Sequence, residues 1–255
     1  MLKMLLSGCN GRMGQAIDTL CRSRSDITVA AGIDVDGRKL RDFPVYVDPL
    51  EFGGRVDVVV DFSHPSALPS LLIYCTKHNT PLVVATTGHD ANGLALLREA
   101  AETLPLFVTG NMSLGINLLQ DLLKRAASVL GADYDVEIIE RHHNAKVDAP
   151  SGTAKMLYDT LADALPYEPE PVYDRHTVRA PRAKREIGIH TVRGGGIVGD
   201  HSVLFASGGE VIELSHHAIS REVFAIGAVR AAIFMAAQKN PGLYDMQNLL
   251  ETIGV

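Results

Sequence analysis

Leu2-Lys3-Met4-Leu5-Leu6-Ser7-Gly8-Cys9-Asn10-Gly11-Arg12-Met13-Gly14 begins as an apolar run and breaks into three glycines spaced three residues apart. Met1–Ser7 has the length and composition of a short strand, and a helical pattern follows over Met13–Arg22. Glycines at such a junction let the chain turn tightly and let its backbone approach a pyrophosphate. The helix start adds free N–H donors and the positive end of the helix dipole. A glycine motif alone is weak, but its context strengthens it. The next apolar run, Ile27–Ile33, is followed by Asp34 about 20 residues beyond the turn, where a carboxylate binds the adenosine ribose of a dinucleotide.

Further along, the apolar runs Val56–Val60, Leu82–Ala85 and Leu106–Val108 lack strict polar alternation, as strands buried on both faces of a parallel sheet do. Helical patterns lie between them at Pro65–His78 and Ala91–Glu102, with Pro65 expected in the first turn of its helix. This alternation predicts a doubly wound α/β sheet with right-handed crossovers. Thr86-Thr87-Gly88 and Gly110-Asn111-Met112-Ser113 fall at the carboxyl ends of such strands, where open α/β sheets bind ligands.

After residue 113 the rhythm changes. A long helix over about Gly115–Leu130 leads into a strand at Asp135–Arg141, a loop, and a helix beginning near Ser151. Residues 165–186 are rich in proline and charge and read as an irregular loop. Strands at Ile187–Arg193, Ser202–Ala206 and Val211–His216 follow without intervening helices, which predicts antiparallel pairing; Gly194–Asp200 reads as a turn. Arg221–Gln238 and Asp245–Leu250 read as helices.

The composition narrows the class. A net charge of −6 without a basic stripe argues against a nucleic-acid partner. No apolar run reaches the roughly 18 residues of a membrane span, and the short opening run lacks the pattern of a signal peptide. Cys9, Cys21 and Cys75 form no CxxC and leave an odd count, which suits free thiols in a reducing cytoplasm.

Reactive groups are densest at Glu140-Arg141-His142-His143-Asn144-Ala145-Lys146-Val147-Asp148-Ala149-Pro150-Ser151-Gly152-Thr153. Side chains alternate along a strand, so His142 and His143 face opposite ways and only one can be the general acid. Lys146 adds a cation close by. Ser151 suits the cap of the following helix, so its N–H group, those of Gly152 and Thr153, and two hydroxyls form an anion site. A cationic corner beside such a helix start suits a small substrate with more than one carboxylate. Adjacent histidines chelate poorly and no HExxH or CxxC spacing occurs, so no metal is expected. His216-His217, at a strand end, reads as packing or hinge material.

The stretch Glu137–Ala154 resembles the E-x-H-H-x-x-K-x-D-A-P-S-G-T-A signature of dihydrodipicolinate reductases. Gly8–Gly14, Asp61-Phe62-Ser63, Ala85–Gly88, Asn111–Gly115, Arg193, Ile197–His201 and Phe224–Ala231 also match, so the resemblance spans essentially the whole chain. It implies NADH- or NADPH-dependent reduction of 4-hydroxy-tetrahydrodipicolinate to tetrahydrodipicolinate with loss of water. His142 would be the acid/base and Lys146 the proton donor, with His143, Ser151, Gly152 and Thr153 at the substrate. Nucleotide contacts are implied at Gly8, Cys9, Asn10, Gly11, Arg12, Met13, Asp34, Ala85, Thr86, Thr87, Thr109, Gly110, Asn111 and Met112.

The implied architecture is a Rossmann-type dinucleotide-binding domain over 1–113 and 223–255. An α+β substrate and tetramerisation domain over 114–222 carries a mixed, mostly antiparallel sheet. The implied assembly is a homotetramer joined through the second domains' sheets. One departure is Val35, where family members often carry Arg or Lys, so NADH is expected to serve as well as NADPH or somewhat better. The other is the compact 165–180 segment. A nucleotide-sensing protein without turnover would need neither Lys146 nor the Ser151–Thr153 clamp. A thioester-forming semialdehyde dehydrogenase would need a cysteine beyond Cys75.

Overall fold

The computed structural model describes residues 1–253, with β1 at Leu2–Ser7, α1 at Arg12–Arg22, β2 at Ile27–Ile33 and β3 at Val45–Tyr46. Next come β4 (Val58–Asp61), α2 (Leu68–His78), β5 (Leu82–Val84), α3 (Ala91–Ala100) and β6 (Pro105–Val108). The middle of the chain forms α4 (Leu114–Leu130), β7 (Asp135–His142), α5 (Gly152–Ala164), β8 (Glu170–Val172), β9 (Glu186–Arg193), β10 (Gly199–Ala206) and β11 (Val211–Ala218). It closes with α6 (Glu222–Ala236), β12 (Gly242–Tyr244) and α7 (Met246–Ile253). Two compact units result: Met1–Leu114 with the chain from Arg221 onward, and Gly115–Ser220. Among the described residues no helix is long and apolar enough to cross a membrane.

The first unit is built on a seven-stranded sheet in the order β12-β6-β5-β4-β1-β2-β3, with every neighbouring pair parallel. Because β1 pairs β2 on one side and β4 on the other, the winding reverses beside β1. The carboxyl ends of β1 and β4 therefore flank the crevice where such sheets bind ligands. One face packs with α1 and α6 around Met4, Leu6, Ile17, Val58 and Val60, and the other with α2 and α3 around Leu5, Val59, Leu71 and Leu97. Burial on both faces explains why these strands read as unbroken apolar runs.

Three readings in this unit change. Pro65 heads a 3₁₀ turn, Pro65–Ala67, and the α-helix starts only at Leu68. Pro69 is the reason: its missing N–H and its ring are tolerated in a first helical turn and not one turn further in. The two-residue edge strand β3 and the carboxyl-terminal β12 are the other additions, both too short to show a pattern.

In the second unit the sheet order is β11-β10-β7-β9-β8. Its inner face is covered by Ile116, Leu119 and Leu123 of α4 and by Ala154, Leu157 and Leu161 of α5, packed on Val136, Ile138, Ile189, Val203 and Phe205. The antiparallel expectation holds for β10–β11 and fails for β9 and β10, because β7 lies between them. β7 pairs β10 antiparallel and β9 parallel. The chain leaves β7, crosses through α5 and returns to β9, and a helical crossover makes strands parallel. With β8–β9 also parallel, the mixed sheet is evenly divided between the two pairing modes.

The 165–186 segment is less irregular than its composition suggests, since it contains β8. Pro171 sits in that strand because β8 is the sheet edge, where a missing donor is harmless. The segment is tied down by Tyr158 Oη on the Pro169 carbonyl (2.7 Å) and by the Arg175–Glu186 ion pair. The turn read over Gly194–Asp200 is shorter, because Gly199 and Asp200 already belong to β10. His216 and His217 lie inside β11, which runs on to Ala218.

Candidate active site

At the end of β1 the backbone turns at Gly8 with φ +76°, a conformation that L side chains rarely adopt. A Cβ there would also strike the Phe62 carbonyl, so the site demands glycine twice over. Gly14 in turn lets α1 press against the turn backbone at Gly8 and Cys9. The N-cap residue Gly11 has no capping side chain, and no acidic residue occupies the first turn of α1, leaving that helix start open to an anion.

Asp34, the residue after β2, is aimed by this turn. Its Oδ2 accepts from the Asn10 N–H (2.9 Å) and its Oδ1 from the Asp36 N–H (3.0 Å). Asn10 Nδ2 donates to the carbonyls of Asp36 (2.7 Å) and Arg38 (3.0 Å), fastening the following loop to the glycine turn. A cavity of about 380 Å³ is lined by Ser7, Gly8, Gly11, Asp34, Ser63 and His64 among others. The Ser7 hydroxyl is buried without a hydrogen-bond partner among the described residues. An open helix start, an orphaned hydroxyl and an oriented carboxylate around one cavity fit the phosphates and ribose of a dinucleotide.

The other residues of the implied nucleotide set are placed unevenly. Thr86 is buried, its hydroxyl donating to Asp61 (2.7 Å), while Thr87 is exposed. Asp61 is fully buried and also accepts from the Ser63 N–H (3.1 Å) and hydroxyl (2.5 Å), so it ties the ends of β4 and β5 together. Thr109 and Asn111 close a local turn, with the Asn111 N–H on Thr109 Oγ1 at 3.2 Å, and Gly110 is exposed. Ala85, partly buried, packs on the core, as does Met13, and Arg12 is exposed at the start of α1. Cys9 and Met112 are buried in the core, so only their backbone is available at the turn. Burial, followed by the Asp34 charge, pushes the Cys9 thiol up to about 11, leaving it inert.

In the second unit the strand alternation holds as read: Val136, Ile138, Glu140 and His142 are buried, while Arg141 and His143 are partly exposed. His142 Nδ1 lies 2.6 Å from Glu140 Oε2. Glu140, with no exposed surface, also takes two bonds from Arg193 (2.7 and 2.9 Å), the Ser151 N–H (3.0 Å) and the Thr191 hydroxyl (3.2 Å). Burial alone would raise this carboxyl, but the Arg193, His142 and Ser151 bonds outweigh it and hold it down to about 2.

Ser151 is the N-cap of α5, its Oγ accepting from the Ala154 N–H at 3.1 Å. Space is open above Gly152, so ligand atoms can approach the helix start that Gly152 and Thr153 begin. His201 meets Ser151 Oγ at 3.0 Å and sits edge-on to His142 at 5.2 Å between ring centroids. Burial, and then the neighbouring His142, lower His201 to about 4, so it stays neutral near pH 7. Lys146 forms an ion pair with Asp148 at 2.8 Å, and its N–H closes a turn on the His143 carbonyl. The Ala149–Pro150 bond is cis.

The second unit thus brings His142 and Ser151 together through Glu140, with Arg193 and His201 completing the cluster. Sequence reasoning assigned no role to these last three. Glu140 was detectable, since residues two apart on a strand share a face. Arg193 and His201 lie on other strands, and nothing local announces their pairing.

Two family models cover the chain: dihydrodipicolinate reductase, N-terminus, over residues 2–112, and dihydrodipicolinate reductase, C-terminus, over residues 115–250. The 4-hydroxy-tetrahydrodipicolinate reductase of Clostridium tetani is 48% identical over 252 residues, covering 99% of this chain and 98% of its own. That of Caldanaerobacter subterraneus subsp. tengcongensis is 48% identical over 251 residues, covering 98% and 99%. The solved structure of dipicolinate-bound dihydrodipicolinate reductase from Paenisporosarcina sp. TG-14 superposes with a TM-score of 0.79 at 26% identity, over 96% of this chain and 97% of that one. A myo-inositol dehydrogenase from Lactobacillus casei, 14% identical with a TM-score of 0.62 over 98% and 90% of the two chains, shares the fold alone. With both halves matched and relatives near half identity over nearly all of its length, the chain belongs to the dihydrodipicolinate reductase family.

Proposed function

We propose that the protein reduces 4-hydroxy-tetrahydrodipicolinate to tetrahydrodipicolinate, consuming a hydride and a proton and releasing water, in lysine and diaminopimelate synthesis. The observation that carries this reading is His142 held by Glu140 beside the open α5 start, within a chain that matches the family from end to end. NADH or NADPH, when bound, supplies the hydride to an unsaturated ring carbon conjugated with an imine. The residues that would hold it are those of the Gly8–Met13 turn, Asp34, Ala85–Thr87 and Thr109–Met112.

His142 and Lys146 supply the proton that balances the charge developing toward the ring nitrogen. A positioned acid of this kind contributes roughly 10²–10⁴-fold. Gly152 and Thr153 clamp one substrate carboxylate with N–H and hydroxyl donors, and the clamp fixes ring orientation. Ser151 holds that helix start in place through its bonds to Glu140, Ala154 and His201, and His143 contacts another part of the substrate. The first unit is the dinucleotide-binding domain and the second the substrate and tetramerisation domain. The relatives that carry the reductase name, and the dipicolinate bound by the Paenisporosarcina reductase, support this substrate class.

The coenzyme reading is NADH equal to NADPH or somewhat preferred. Asp34 suits the two ribose hydroxyls of NADH and repels the extra phosphate of NADPH, and exposed Val35 offers no cation. Arg38, the next cation along, is already engaged by Asp36 at 2.5–2.8 Å. Buried free thiols at Cys9, Cys21 and Cys75 favour the cytoplasm. The test is spectrophotometric: the pure protein, coupled to a dihydrodipicolinate synthase, should oxidise both coenzymes, read as loss of the reduced-nicotinamide absorbance. Binding of coenzyme without turnover would reduce the protein to a nucleotide sensor.

A further inference from the structure

Glu140 is an ionised carboxylate with no exposed surface. A charge buried this way costs several kcal/mol unless its lone pairs are met by well-placed donors. Five donors meet its two oxygens, and they come from separate elements: His142 on its own strand, Arg193 and Thr191 on β9, and Ser151 at the cap of α5. Such a convergence exceeds what packing two helices on a sheet requires, since Ile138, Ile189 and Leu157 already do that nearby.

We propose that Glu140 is a positioning residue that holds His142 in the Nδ1–H tautomer, leaving Nε2 to exchange the proton, and at the same time pins the start of α5. One carboxylate thereby sets the acid and the substrate-carboxylate clamp in a common register. This rests on the functional reading of His142 and of the Gly152–Thr153 clamp given above. An imidazole whose Nδ1–H is committed to a carboxylate has its tautomer decided by that bond. The opposite ring atom is kept clear: a Cβ at Gly199 of β10 would come within 3.0 Å of His142 Nε2, so the glycine leaves that nitrogen its space.

The charged and titratable groups around this cluster are Glu140 on β7, Arg193 on β9, Asp200 and His201 on β10, His216 on β11, and the Lys146–Asp148 pair in the following loop. Arg193 neutralises Glu140 in part, and neutral His201 adds no second cation against His142. Removing the carboxylate therefore takes away both the charge and the hydrogen-bond acceptor that face His142 Nδ1 at 2.6 Å.

Two measurements test this. In the wild-type protein at alkaline pH, ¹⁵N-resolved imidazole spectra should show His142 protonated at Nδ1; an Nε2–H tautomer overturns the proposal whatever any variant does. In Glu140→Gln, kcat should fall by about 10²-fold or more, with the alkaline limb of its pH profile, where the proton donor is lost, moved to lower pH. Coenzyme affinity should be unchanged and substrate KM changed less than about tenfold. Glu140→Asp, which keeps the charge, should restore the position of that limb. A wild-type pH profile in Glu140→Gln, with or without lost activity, overturns the proposal and makes Glu140 a folding residue only. A wild-type protein that does not reduce the substrate sinks the functional reading instead, and the tautomer spectrum still decides the hydrogen bond.

Discussion

Lys146 and His142 are assigned the proton in this chemistry, one as an ammonium held by Asp148 and the other as an imidazole held by Glu140. Lys146→Ala and His142→Ala should each lower kcat by about 10²-fold or more with coenzyme affinity nearly unchanged, as read from steady-state rates and a direct coenzyme titration; wild-type turnover in both would sink the assignment. At the nucleotide end, Asp36 occupies the Arg38 guanidinium that would otherwise swing toward an additional phosphate. Exposed pairs contribute only about 0–1 kcal/mol and weaken with salt. Asp36→Asn should therefore raise kcat/KM for NADPH by up to about fivefold and leave NADH unchanged, with the gain fading at high ionic strength. A strong NADPH preference in the wild type that persists in high salt would show that another cation reaches the phosphate.

The proposed clamp rests on elements more than on single residues: the end of β7 and the start of α5 meet on Glu140, so the helix N-terminus is presented in a fixed pose. Thr153→Val should raise the substrate KM and weaken dipicolinate together. Loss of a hydrogen bond to a charged group costs about 1.5–3 kcal/mol, which isothermal titration would resolve; an unchanged inhibitor constant returns the motif to an ordinary cap. The same junction makes the second unit sensitive to acid. His201 is 4% exposed and titrates near 4 when folded, against 6.5 when unfolded. Between those values the unfolded chain binds more protons, so stability falls as pH drops from about 6.5 to 4, by about 3 kcal/mol for this residue. Glu140, lowered to about 2, prolongs the loss from about 4.5 downward. The urea midpoint should fall through both windows, and His201→Gln should flatten the first. An equally steep fall in that variant would assign the loss to other groups.

For the whole molecule, the face of the second sheet away from α4 and α5 carries Ile139, Val192, Leu204 and Val211, and Val192 and Val211 are exposed. We propose that this face joins four copies. Leu204→Arg should then shift the sedimentation coefficient of the pure protein to smaller species, and a wild-type monomer at micromolar concentration would refute the tetramer.

Much of the fold was legible locally. The Gly8–Gly14 turn, Asp34 after β2 and the apolar runs of the first sheet depend on backbone freedom, short spacings and burial on both faces, all of which one stretch of chain records. The Ser151 cap and the alternation that buries Glu140 and His142 are local in the same way. Tertiary structure alone decided that β7 separates β9 from β10, and hence that Arg193, 53 residues away, closes on Glu140 while His201 closes on Ser151. A strand's sequence records which of its faces is buried but not which strand lies beside it. That choice is made by how the crossover through α5 packs, and the buried polar cluster is its consequence.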